Sequence, residues 1–217
     1  MNLTDFCLQG SEDIWEKYLS PPFITEMADG SLPIEKYRKY MLVDYAYLRE
    51  YVKLVETALE KPLEPEEEAF LKKHISGTST EMDRTHLLYL QSLGISTEEV
   101  FSVTLPPIAR EYMDYMTDIV RNGGFFDCIT VLLSCSWSYN YIAEKVVEKK
   151  PDAVNAPVYG GWFSSYECEG YYQGNQELID RVNSYAERIP KERWQHYADV
   201  FRVCSEYELK FWDMLYE

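Results

Sequence analysis

Apolar residues recur along this chain at intervals of three and four, and proline or glycine punctuates the runs. That period belongs to amphipathic helices. Ser11 opens a first helix that Pro21-Pro22 should stop. Gly30-Ser31-Leu32-Pro33 opens a long one reaching about Glu60, with Pro33 where a first-turn proline is tolerated. Tyr37, Tyr40, Met41, Asp44, Tyr47, Leu48 and Tyr51 share one face of it. A third helical stretch covers roughly 65–93, with Gly77 as a break point and Gly94 as its end. The next runs from about Pro106 to Asn122, where Gly123-Gly124 stops it. From Phe125 to about Lys149 the chain is apolar around most of a helical circumference, which marks a central, buried helix. Ile129-Thr130-Val131 is the one place a strand competes, and the length of the run decides for helix. Residues 156–189 read as two shorter helices breaking near Gly174, and a last helix follows Pro190. No alternating pattern with hairpin turns occurs. The expectation is an all-α bundle of seven or eight helices forming a single domain over 1–217.

Composition narrows the function classes. The formal net charge is −16, from 21 basic and 37 acidic residues, and no Lys/Arg cluster offers a footprint for nucleic acid or anionic membrane. Tyr accounts for 19 residues; most read as a core with wet edges, and because buried Tyr hydroxyls seek partners the remainder suggest a pocket or interface. Five cysteines (Cys7, Cys128, Cys135, Cys168 and Cys204) form no CxxC pair. With no signal-peptide pattern at the N-terminus and no membrane-length apolar run, the reading is a cytoplasmic protein with free thiols.

Three residues stand out chemically. Cys135 lies mid-helix in the most apolar segment, where a cysteine is more often a small core residue than a nucleophile. Tyr139 one turn on and Ser134 and Ser138 nearby add polarity that oily packing would not require. Asp44 sits on the Tyr40–Tyr47–Tyr51 stripe: either a solvated edge residue or an acceptor for a ligand's amino and ring N–H groups. Glu208 shares a face with Phe211, Trp212 and Leu215: either an ordinary residue of an acidic tail or a general acid in apolar surroundings. The histidines His74, His86 and His196 form no Glu-x-x-His pairs, and a lone His86 reads as structural. No glycine-rich nucleotide loop occurs and no metal or cofactor is implied.

Four blocks then fall into a known pattern. PFITEMADGSLPIEKYRKYMLVDYAYLREYVKLVETALEK, LLSCSWSYNYIAEKV, VYGGWFSSYECEGY and CSEYELKFWDMLYE resemble, in order, the signatures of the TenA (thiaminase II) family, in its Cys-containing branch. Pro22, Val43 and Phe163 depart from residues common in that family, and none removes a proposed catalytic group. The resemblance implies the haem-oxygenase-like helical fold without haem, and a homotetramer. It implies hydrolysis of 4-amino-5-aminomethyl-2-methylpyrimidine to the hydroxymethylpyrimidine and ammonia, with thiamin as a second substrate. It assigns Cys135 as nucleophile, Glu208 as acid, Asp44 as holder of the aminopyrimidine edge, and Tyr47, Tyr112, Tyr139 and Tyr166 as pocket residues. The alternatives are a non-catalytic ligand-binding or regulatory protein on the same fold, in which Cys135 is inert, and a metal-free oxidase of related fold.

Overall fold

Local capping chemistry sets where each helix begins. The computed structural model describes residues 1–217, apart from the side chains of Arg84 and Thr85. Its described residues form twelve α-helical segments and no strand. They are α1 (Leu3–Gln9), α2 (Glu12–Trp15), α3 (Pro22–Asp29), α4 (Ile34–Leu59), α5 (Pro65–Glu81), α6 (Leu87–Ser92), α7 (Thr97–Ser102), α8 (Pro107–Asn122), α9 (Phe125–Lys149), α10 (Gly160–Glu167), α11 (Glu169–Ala186) and α12 (Trp194–Tyr216). Short 3₁₀ turns follow α2 and α9 and precede α12.

The helix count exceeds the seven or eight expected because the extra helices are too short to show a period. α1 is held by Asn2, whose side chain accepts from the Asp5 N–H at 2.8 Å while Asp5 returns the bond. α7 is held by Ser96, which accepts from the Glu99 N–H at 3.1 Å. The helical stretch opened by Ser11 ends at Leu19, just before Pro21-Pro22, and Pro22 then opens α3, where a first-turn proline gives up no hydrogen bond. Gly77 lies inside α5, and the irregularity falls five residues later, where Met82–His86 widen into a π-helical turn. Gly174 likewise lies inside α11, and the break near it comes at Cys168, whose backbone is extended (φ −68°, ψ 152°).

The helices group into two compact units, residues 1–32 with 129–217, and residues 33–128. The first is centred on Trp15, which stacks on Phe201 at 5.6 Å and meets the rings of Trp137 and Tyr141 edge-on at 5.1 Å. Its indole N–H donates to Ser205 Oγ at 3.0 Å, and the Tyr18 hydroxyl donates to the Ser205 carbonyl at 2.9 Å. The Trp15 indole and the Tyr18 hydroxyl in that buried knot therefore each have a partner, as burial demands. In the second unit α4 packs against α5 and α8. Its tyrosine stripe is buried: Tyr37, Tyr40, Tyr47 and Tyr51 are each at most 5% exposed. No helix among the described residues is long and apolar enough to cross a membrane.

Candidate functional site

In the first unit the middle of α9 presents Cys135 and Tyr139 one helical turn apart, so both side chains leave the same face. Both are buried. The Tyr139 ring meets Tyr166 at 5.0 Å, Trp212 at 5.3 Å and Trp162 at 5.9 Å. Trp162 and Tyr166, four residues apart on α10, close the cluster at 4.8 Å. α10 is fixed to α9 where Asn140 Nδ2 donates to the Tyr166 carbonyl at 2.8 Å. Tyr159 precedes the helix as its N-cap residue and sends its hydroxyl to the Leu32 carbonyl. Glu208 lies on α12, one turn before Trp212, and is 2% exposed. Sequence patterning had left open a solvated tail residue; the carboxyl is buried.

One residue the sequence analysis passed over ties these groups together. Burial holds the Tyr18 hydroxyl well above its usual range; the charges of Glu208, Cys204 and Cys135 add to that, while its bond to Ser205 opposes it. Tyr18 thus lies within electrostatic reach of both the thiol of Cys135 and the carboxyl of Glu208. It occurs in a short EKYL segment without periodicity, so no sequence signal marks it.

In the second unit Asp44, Tyr47 and Tyr51 follow one face of α4. Tyr47 stacks on Tyr112 of α8 at 5.9 Å and 29°, and its hydroxyl points at Met116 Sδ, 3.9 Å away. Tyr51 shares a 3.0 Å hydrogen bond with His74 Nε2. Asp44 is 3% exposed, which rejects the solvated reading, and its Oδ2 lies 2.9 Å from Nε2 of a buried His86. Burial alone would lower the His86 pKa; the Asp44 hydrogen bond and charge, with Glu81, outweigh it and hold it above 6.5. Among the described residues no three His, Cys, Asp or Glu side chains are grouped as metal ligands.

A model of the TENA/THI-4/PQQC family matches residues 8–217. The chain belongs to that family. An aminopyrimidine aminohydrolase of Halalkalibacterium halodurans is 30% identical over 207 residues, covering 95% of this chain and 92% of its own. One from Bacillus subtilis is 28% identical over 216 residues, covering 100% and 90%. Among solved structures, a TenA homologue from P. horikoshii OT3 superposes with a TM-score of 0.89 at 25% identity, over 100% of this chain and 99% of that one. A domain from Shewanella denitrificans with a haem-oxygenase-like fold gives 0.78 at 19% identity, over 99% and 92%.

The TENA/THI-4/PQQC chain therefore carries the all-helical, haem-oxygenase-like fold that its motifs implied. Of the residues assigned by resemblance, Cys135, Tyr139, Tyr166 and Glu208 fall in one unit, and Asp44, Tyr47 and Tyr112 in the other. All seven are buried. Tyr47 was marked by the period of its helix face, whereas Tyr112 and Tyr166 were assigned by the resemblance alone. For His86 there was no signal, because a single histidine in MDRTH carries no pattern.

Proposed function

We propose that this protein is an aminopyrimidine aminohydrolase of thiamin salvage. It would convert 4-amino-5-aminomethyl-2-methylpyrimidine and water to the 5-hydroxymethylpyrimidine and ammonia. The observation that carries the reading is that a buried thiol and a buried carboxyl, Cys135 and Glu208, share a unit with a four-ring aromatic cluster that adjoins both of their helices. A flat heterocycle suits such walls, and stacking is worth about 0.5–1.5 kcal/mol beyond burial for each ring pair. The 30% identity to a relative named for the same reaction supports it.

In this mechanism the Cys135 thiolate adds to a pyrimidine ring carbon while Glu208 gives a proton to a ring nitrogen. The electron pair gained by the ring expels the exocyclic amine, which leaves as ammonia after taking a proton. Water then bonds to the exocyclic carbon and loses a proton, and the C–S bond breaks as the ring nitrogen returns its proton to Glu208, restoring the aromatic ring, the acid and the thiolate. The family resemblance further assigns Asp44 to the N–H groups of the aminopyrimidine edge, and Tyr47, Tyr112, Tyr139 and Tyr166 to pocket positions. Thiamin, whose thiazolium takes the C–N bonding pair and leaves as the neutral thiazole alcohol, is a second substrate of the same chemistry.

Cys135→Ser should abolish turnover while the protein still binds the pyrimidine by calorimetry. Glu208→Gln should lower kcat more than it raises KM, because a general acid acts in the transition state. Equal loss of binding and turnover in Cys135→Ser would make the thiol a packing residue, and an unchanged rate in Glu208→Gln would remove that carboxyl from the chemistry.

A further inference from the structure

Asp44 and His86 form a fully buried hydrogen-bonded pair, 3% and 4% exposed, on two segments far apart in sequence. A carboxylate accepts hydrogen bonds and donates none, so Nε2 of His86 is the donor at 2.9 Å. The histidine is delivered by Met82–His86, where a regular helix widens into a π turn and resumes at once as α6. Such turns are rare, appear mostly as single turns inside α-helices, and are frequent at functional sites. Packing alone explains the pair poorly. A buried ion pair seldom stabilises more than apolar residues of the same volume would, because both groups must leave water. Glu81, half-buried at the end of α5, adds a second carboxyl whose charge also reaches both members of the pair. The chain thus holds a costly polar arrangement on the tyrosine-striped face of α4, between Tyr40 and Tyr47.

We propose that His86 is a positioning residue for the aminopyrimidine: from the π turn it donates Nε2–H to Asp44 Oδ2, fixing the carboxylate so that its other oxygen accepts an N–H from the ring's amino edge. The role rests on the aminohydrolase reading above, but the pair itself does not. One carboxylate oxygen is occupied by a fixed donor, so Asp44 cannot rotate to make other bonds. The ligand then meets a single acceptor in a set direction. That geometry selects a pyrimidine bearing an N–H donor over one bearing a carbonyl at the same position. Such a contact is made equally in ground and transition states, so its loss belongs in KM.

The test has two readouts. In the ligand-free protein, the His86 ring proton is titrated by NMR in wild type and Asp44→Asn. The midpoint should fall in the variant, because the carboxylate that favours the protonated ring is gone. An unchanged midpoint overturns the pairing. Turnover is then compared in wild type, His86→Ala and His86→Gln. His86→Ala should raise KM for the aminomethylpyrimidine about tenfold, the loss expected for a hydrogen bond to a charged group, with kcat within about twofold. His86→Gln, whose amide can still donate to Asp44, should recover most of that loss. Wild-type KM in His86→Ala, or equal falls in kcat and melting temperature in both variants, would make His86 merely structural. Should wild type neither bind nor turn over any aminopyrimidine, the function and the positioning role would fall together, while the titration would still report the pair.

Discussion

Five cysteines of one chain differ more in surroundings than in chemistry. Burial pushes the thiols of Cys7 and Cys128 up to about 12, so neither forms thiolate at neutral pH. Cys168 is exposed and Cys135 lies at the margin of burial, 9% accessible beside Tyr139. Alkylation of the native protein at neutral pH, read by peptide mass mapping, should therefore label Cys168 and Cys135 and spare Cys7 and Cys128. An aminopyrimidine should protect Cys135 alone. A Cys135 that stays unlabelled with and without ligand would be an inert core thiol. The candidate nucleophile and acid were legible in the sequence because an apolar helix and an aromatic face make a polar group conspicuous. His86 and Tyr18 were not, since their significance lies in partners 42 and 187 residues away.

At the scale of the element, the long helices were readable because amphipathic patterning accumulates over several turns. α4, α8 and α9 begin and end within a few residues of where the pattern put them. The short ones escaped, and so did the two interruptions, because glycine is a weak helix breaker on its own. Gly77 and Gly174 both continue their helices, and a Cβ added at either meets nothing within 4 Å. Gly77→Ala and Gly174→Ala should each stabilise the protein by roughly 0.5–1 kcal/mol, because alanine loses less backbone freedom on entering a helix. Thermal or urea unfolding measures this, and destabilisation at either position would mean that the helix there needs the glycine. The π turn at Met82–His86 is the reverse case: nothing in its composition announces it, and its last residue bonds to Asp44 on α4.

At the scale of the whole chain, fold class follows from the absence of any alternating pattern and from helices that bury aromatic faces. Function does not follow from fold, since one helical architecture can host unrelated sites. The functional reading rests on family membership over residues 8–217 and on the roles proposed for Cys135, Glu208 and Asp44. The net charge of −16 fits a substrate that carries an ammonium group at neutral pH better than an anionic one. The central claim is a hydrolytic deamination dependent on one thiol. It is tested most directly by following ammonia release from 4-amino-5-aminomethyl-2-methylpyrimidine, with thiamin cleavage in parallel and Cys135→Ser as control. The account predicts ammonia release that exceeds thiamin cleavage and disappears in the variant. Release unaffected by Cys135→Ser, or none from wild type with either substrate, would contradict it.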